Sequence, residues 1–167
     1  MAKTLQQKVV SALSKVNLTL SCAESCTGGL IAKRITDVSG ASTVFHGGVV
    51  SYVNAVKQNV LGVSVRDLEQ YGAVSAPVGR QMASGAARLL GTDLAVSTTG
   101  VAGPNPDDRG NTVGTVYVSL SAQGKTWCYL CHFDGDRARI RRSAAEFALS
   151  LVLRYLSGAD MAEGALS

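Results

Sequence analysis

The feature that most constrains the fold of this chain is an alternation of short apolar runs with segments of helical periodicity. Helices are predicted over residues 4–15, 29–38 and 75–91, with a short one through Lys57 and Leu61. A last helix is predicted from apolar residues spaced three and four apart, namely Ala144, Phe147, Ala148, Leu151, Val152 and Tyr155. Strands are predicted over residues 18–22, 49–53, 94–97, 113–120 and 125–133.

The order of these elements is typical of an α/β fold. Helices separate the first strands, and the last two strands flank a short polar segment at residues 122–124, which predicts a hairpin. We therefore expect a three-layer α/β/α sandwich on a mixed, mostly parallel sheet of about five strands. With 167 residues, 46% of them hydrophobic, the chain can form one domain with its own core. That domain is expected to span residues 1–157, with a frayed tail over residues 158–167.

Composition and charge argue against several classes of protein. The formal charge is +4, but aromatic residues make up only 5% of the chain, and the basic residues are scattered except at 137–142. Nucleic-acid binding is therefore not expected, and a small anionic ligand explains the charge equally well. No apolar run approaches the roughly 18 residues of a membrane span, and the N-terminus lacks the apolar core of a signal peptide. We expect a cytoplasmic protein without membrane contact.

The cysteines raise the question of a zinc site, because Cys22 and Cys26 are close in sequence, as are Cys128 and Cys131. The strand predicted over residues 125–133 directs Cys128 and Cys131 to opposite faces, whereas a zinc knuckle brings its ligands together on a turn. Free, buried thiols and no metal are therefore expected.

Two glycine-rich loops follow predicted strands, AESCTGG at residues 23–29 and TTGVAGP at residues 98–104. Open α/β sheets bind their ligands where strands end in this way. Gly28 and Gly29 would let a ligand approach the backbone closely, and the helix after them would direct free N–H groups at an anion. Thr99 and Gly100, with Gly103, could form a second anion-binding nest. The alternative is that both loops are ordinary tight turns with capping hydroxyls.

The blocks AESCTGGLIA, FHGGVVSYVNAVK, YGAVSAPV, TTGVAGP, VGTVYVSL and FDGDRARIRR occur in this order along the chain. Their order and spacing resemble the C-terminal domain of the competence/damage-inducible protein CinA, the nicotinamide mononucleotide deamidase family. The resemblance runs from about residue 5 to residue 156. We expect the stand-alone form of the family, because larger members carry an additional N-terminal domain that 167 residues would not accommodate.

The resemblance implies an amidohydrolase that converts nicotinamide mononucleotide to nicotinic acid mononucleotide and ammonia. It also implies no metal or other cofactor, a cytoplasmic location, and a homodimer or larger homo-oligomer. Ser25, in the family's ESC motif, would be the nucleophile, with backbone N–H groups of Cys26 and Thr27 for the oxyanion and room for substrate at Gly28 and Gly29. Cys26 is the rival nucleophile, because a helix N-terminus lowers the pKa of a thiol.

The resemblance also implies the groups that activate Ser25. In the block GGVV-x-Y-x-N-x-x-K, Tyr52 and Lys57 would complete a Ser-Tyr-Lys arrangement, in which a buried Lys57 takes the hydroxyl proton directly or through Tyr52. Without the family, Tyr52 reads as a half-buried strand aromatic and Lys57 as a solvated helix residue. Glu24 has two open roles: it orients Lys57, or it caps the following helix.

The phosphate of the nucleotide needs cationic or N–H partners. Thr99 and Gly100 are candidates as a nest, and the resemblance implies that Arg137 and Arg141 contact the phosphate or the ribose.

The chain departs from the family pattern at Ala76, where a carboxylate is common, and over residues 105–112, where the family has a glycine-rich loop and a Lys-Pro pair. These departures leave a catalytically inactive nucleotide-binding or regulatory module as an alternative. The family's name suggests a further alternative, a protein partner in DNA uptake or repair.

Overall fold

The computed structural model describes all 167 residues. Five strands form one sheet in the order β2-β1-β3-β4-β5. They are β1 (Leu20–Glu24), β2 (Phe45–Val50), β3 (Leu94–Gly100), β4 (Thr115–Ala122) and β5 (Lys125–His132). The helices are α1 (Leu5–Val16), α2 (Leu30–Thr36), α3 (Asn54–Leu61), α4 (Val65–Tyr71), α5 (Ala76–Leu90) and α6 (Arg137–Leu156), with a 3-10 turn at Ala41–Thr43.

The sheet is mixed, with most of its strands pointing the same way. Strand β1 pairs in parallel with β2 and β3, whereas β4 runs antiparallel to both of its neighbours. Only β4 is therefore reversed, and the carboxyl ends of β1, β2 and β3 meet at one edge of the sheet. This architecture confirms the predicted fold class.

Helices cover both faces of the sheet. Helices α1, α2 and α6 contact one another on one face, and α5 packs on the other face with α3 and α4 beside it. The first face buries a cluster of 27 hydrophobic residues and the second a cluster of 8. Successive side chains of β1 point to opposite faces of the sheet, so the strand contributes to both clusters: Cys22 belongs to the first and Ala23 to the second.

Several boundaries differ from the sequence prediction, and the structure has one additional helix. Strand β2 begins at Phe45 and ends at Val50, earlier than predicted, because the Gly47-Gly48 pair that resembles a loop lies within the strand. Helix α2 begins only at Leu30. Helix α4 was not predicted; Ser64 caps it by accepting a hydrogen bond from the N–H of Asp67.

The end of the chain packs against the sheet, where the sequence predicts a frayed tail. Met161 is only 5% exposed, and its carbonyl accepts a hydrogen bond from the hydroxyl of Tyr129 on β5. The N–H of Leu166 donates to the carbonyl of Cys128 at 2.7 Å, which covers part of the outer edge of β5.

None of the helices combines the length and the apolar character that crossing a membrane requires.

Candidate active site

Ser25 lies directly after β1, at the edge where the carboxyl ends of three strands meet. Its N–H donates to the carbonyl of Thr98 on β3 at 2.9 Å, and its carbonyl accepts from the N–H of Gly28 at 3.1 Å. Gly28 and Gly29 have φ angles of 57° and 100°, in the left-handed region where a side chain would be strained. The chain therefore makes a tight turn over residues 25–29 before α2 begins, and we call this segment the nucleophile turn.

Lys57 reaches Ser25 from α3. Its Nζ donates to the Ser25 hydroxyl oxygen at 3.0 Å and to the Ser51 carbonyl at 2.6 Å. The residue is only 1% exposed, so the reading of Lys57 as a solvated helix residue is wrong. Ser51 was not singled out from the sequence, although it lies within the block that contains Tyr52 and Lys57. Its carbonyl fixes the amine beside the hydroxyl.

Burial lowers the pKa of the Lys57 amine from 10.5 to about 8. Neither ion pair of the structure includes Lys57, so no carboxylate compensates this desolvation. A lysine with this pKa is about half neutral at pH 8, and its neutral form can accept a proton from a neighbouring hydroxyl.

Cys26 is a poor candidate for the nucleophile. Its side chain is buried within the larger hydrophobic cluster, and this burial raises the pKa of the thiol to about 12. The pKa is thus shifted upward, opposite to the direction expected from a helix N-terminus, because α2 begins four residues later and desolvation dominates.

Two backbone N–H groups beside Ser25 are free to bind an oxyanion. The N–H groups of Cys26 and Thr27 donate to no backbone carbonyl of the chain. The carbonyls of the same two residues accept hydrogen bonds from Arg141, from its Nε at 3.1 Å and from a terminal nitrogen at 3.0 Å. Arg141, expected to contact phosphate, therefore holds the backbone of the nucleophile turn.

Glu24 caps α2. Its buried carboxylate accepts hydrogen bonds from the N–H groups of Ile31 and Ala32, at 2.8 and 3.1 Å. It also accepts from the hydroxyl of Thr27 at 2.6 Å. Of the two roles left open by the sequence, the geometry supports capping, and Lys57 makes no ion pair with this carboxylate.

Tyr52 does not form the hydrogen bonds with Ser25 and Lys57 that its predicted role would require. Its side chain is 57% exposed, and its hydroxyl accepts a hydrogen bond from Arg137 at 2.9 Å, with no hydrogen bond to Ser25 or Lys57. Arg137 also donates to the carbonyl of Gly103 at 2.7 Å. Arg137 and Tyr52 thus connect the loops after β2 and β3, and Lys57 contacts Ser25 without an intervening tyrosine.

The predicted nest at Thr99 and Gly100 does not form. Both residues belong to β3 and pair with Tyr117 and Val116 of β4. The Thr99 hydroxyl donates to the carbonyl of Ala73 at 2.8 Å, and Gly100 does not adopt the left-handed conformation of a nest. The strand extends further than its predicted end at residue 97, because Ser and Thr side chains are compatible with a strand buried on both faces.

The loop over residues 105–112 is anchored to α4. The Arg109 guanidinium donates to the carbonyls of Glu69 and Gln70. Burial opposes ionisation of Asp107, but hydrogen bonds from Asn111 and Arg109 lower its pKa. Together with the start of α3, this loop lines a cavity of about 330 Å³, and Asn54, three residues before Lys57, contributes to its wall.

The cysteines form no disulfide, and no three His, Cys, Asp or Glu side chains gather in a group suited to a metal ion. Cys128 is fully buried, whereas Cys131 is half-buried against the larger hydrophobic cluster.

A comparison with protein families identifies the family of this chain. The sequence model of the CinA C-terminal domain matches residues 2–156. The chain belongs to the CinA C-terminal domain family. Among curated relatives, a putative competence-damage inducible protein of Thermoanaerobacter pseudethanolicus is 47% identical over 154 residues, 92% of this chain and 37% of the relative. A CinA-like protein of Kosmotoga olearia is 46% identical with the same coverage. The chain thus spans little more than a third of the length of these CinA relatives.

Solved CinA structures are closer to this chain in size. A CinA superfamily protein from Klebsiella pneumoniae superimposes with a TM-score of 0.90 at 30% identity, covering 92% of this chain and 96% of that one. The competence/damage-inducible protein CihA from Agrobacterium tumefaciens gives a TM-score of 0.86 at 35% identity, covering 92% and 93%.

Proposed function

We propose that this CinA domain hydrolyses the carboxamide of nicotinamide mononucleotide, releasing nicotinic acid mononucleotide and ammonia. The observation that carries the proposal is the pairing of the Ser25 hydroxyl with the buried Lys57 amine at 3.0 Å. The family resemblance supplies the substrate, and the chemistry of the pair supplies the reaction class, since a hydroxyl next to an amine of lowered pKa is an activated nucleophile.

The first chemical step uses three parts of the site. Neutral Lys57 accepts the proton of the Ser25 hydroxyl as Oγ bonds to the carboxamide carbon. The oxygen of the tetrahedral intermediate then carries the negative charge, for which the free N–H groups of Cys26 and Thr27 are the available donors. When the C–N bond breaks, protonated Lys57 returns a proton to the leaving nitrogen, which departs as ammonia.

The second step repeats this chemistry with water. The product of the first step is an ester between Ser25 and the pyridine carboxyl group. Neutral Lys57 takes a proton from water, which attacks the ester carbon, and Ser25 leaves with that proton. In total, one amide and one water become one carboxylic acid and one ammonia.

Recognition of the nucleotide is proposed at two neighbouring features. Arg137 is exposed and projects from the first turn of α6 beside Tyr52, where its guanidinium can bind a phosphate group. The cavity lined by Asn54 lies one turn of α3 from Lys57 and can hold another part of the nucleotide.

The test is ammonia release from nicotinamide mononucleotide in the presence of a chelator. We expect the unmodified chain to be active, and we expect Ser25→Ala and Lys57→Met to lose at least about a thousandfold in kcat, since nucleophile and base act as a unit. Cys26→Ala separates the rival nucleophiles and should retain most of the activity. Ser42→Ala and Lys33→Met, at exposed positions, are the matched controls.

Two results would contradict the proposal. Activity that persists in Ser25→Ala but disappears in Cys26→Ala would make the thiol the nucleophile. A folded chain that binds the nucleotide in calorimetry without releasing ammonia would be a binding or regulatory module.

A further inference from the structure

We propose that Glu24 is a positioning residue: through Thr27 it fixes the nucleophile turn that holds Ser25 and the free N–H groups of Cys26 and Thr27. This inference rests on the proposed function. Glu24 has no hydrogen bond to the Ser25 or Lys57 side chains, so it would act through the backbone of the turn.

The surroundings of the Glu24 carboxylate require a group that only accepts hydrogen bonds. One oxygen accepts from the Thr27 hydroxyl and the Ile31 N–H, and the other from the Ala32 N–H and the Cys22 thiol. The residue is only 1% exposed, so water cannot replace a lost partner. A glutamine would turn an N–H₂ group toward at least one of these donors.

The Thr27 hydroxyl extends the carboxylate network to the neighbouring strand. Because its single hydrogen is donated to Glu24, its oxygen accepts from the Thr98 hydroxyl, at 2.7 Å. The backbone carbonyl of Thr98 in turn accepts the N–H of Ser25, at 2.9 Å. A closed circuit of hydrogen bonds thus links Ser25 and Thr27 of the nucleophile turn to Thr98 on β3.

This circuit lies on the opposite side of the turn from the reaction. Glu24 follows the alternation of β1 and faces α2, as Cys22 does, whereas Lys57 approaches from α3 on the other face of the sheet. Arg141 holds the carbonyls of Cys26 and Thr27, which directs the N–H groups of the same two peptides, those of Thr27 and Gly28, away from Arg141. Loss of the circuit should therefore displace the nucleophile and the N–H donors together.

The decisive variants are Thr27→Val, which keeps the shape of the side chain but removes the hydroxyl, and Thr27→Ser, which keeps the hydroxyl. Glu24→Gln is the second test, and the Thr27 pair carries the decision if that protein does not fold. Ser64→Ala removes a capping hydroxyl of α4 and serves as the control for general loss of a helix cap.

Two readouts are needed. The first is kcat and KM on nicotinamide mononucleotide. The second is the labelling rate of Ser25 with a fluorophosphonate, in which Oγ bonds to phosphorus, fluoride leaves with the P–F electron pair, and Lys57 takes the hydroxyl proton. We expect Thr27→Val to lower kcat and the labelling rate about 10- to 100-fold, as displacement by about 1 Å does, with KM changed less than about threefold. Thr27→Ser should keep both rates well above those of Thr27→Val, and Ser64→Ala, remote from the site, should match the unmodified chain.

Thr27→Val with unchanged kcat and labelling would overturn the inference, and so would Thr27→Ser as slow as Thr27→Val. If the unmodified chain is labelled at Ser25 but does not hydrolyse the nucleotide, the proposed substrate is wrong, and the labelling rates still decide the role of the network. If the unmodified chain does neither, both proposals are overturned.

Discussion

Lys57 combines two properties that a lysine rarely shows together, full burial and the absence of a carboxylate partner. If its neutral form is the base, kcat/KM should rise about tenfold per pH unit below the pKa of about 8 and become constant above it. The measurement is kcat/KM for ammonia release from pH 6.5 to 10, with Lys57→Met as the control whose residual rate lacks this break. A break near pH 6.5 would instead indicate an imidazole as the base, against the geometry.

The same residue shows how much of the site the sequence could predict. Ser25 and Lys57 were identified through the family motif, whereas propensity alone favoured a solvated lysine. Thr99 and Gly100 pair within the sheet and Arg141 holds carbonyls of the nucleophile turn, contacts that the sequence does not reveal, and their contacts with a ligand stay predictions. A pattern identifies polar groups at the edge of a sheet, but it does not show which of them the protein's own backbone already occupies.

At the scale of elements, the central strands were predictable because apolar runs bounded by turn residues are strong signals. The edge strand β2 was less predictable, because it contains Gly47 and Gly48. A glycine pair indicates a loop, but an edge strand can contain one. The start of α2 was placed one residue too early, because two left-handed glycines extend the turn. The packing of residues 158–167 on the sheet is not predictable from the sequence, because these residues show neither a helical nor a strand period.

The tail provides a prediction at this scale. Met161→Ala should lower the free energy of unfolding by about 2 kcal/mol, since Met161 is buried against β5 and its removal leaves a cavity. Leu166→Ala, at an exposed position of the same tail, should cost less than about 1 kcal/mol. Urea unfolding gives both values, and ammonia release per folded protein should not change. A Met161→Ala variant as stable as the unmodified chain would show that the tail is frayed in solution.

For the whole molecule, the buried lysine predicts how stability depends on pH. The pKa of Lys57 is about 8 in the folded chain and about 10.4 when unfolded. Between these values the unfolded state binds more protons, so the free energy of unfolding rises with pH by roughly 3 kcal/mol, and below pH 8 the full cost of a buried charge remains. Lys57→Met lacks this cost and should be more stable at pH 7.

The buried thiols make the free energy of unfolding fall as the pH rises, opposite to the effect of Lys57. Their contribution therefore has to cancel between the two proteins that are compared. Burial raises the pKa values of Cys26 and Cys131 to about 12, so unfolded thiols ionise first and stability falls above about pH 8.5. Because Lys57→Met keeps these cysteines, the difference in unfolding free energy between the two proteins isolates the lysine. Urea unfolding at pH 7, 8, 9 and 10, with a reductant, should show the advantage of Lys57→Met shrinking toward zero. A difference independent of pH would mean that the amine keeps an ordinary pKa, and Lys57 would then lack the property that makes it a base.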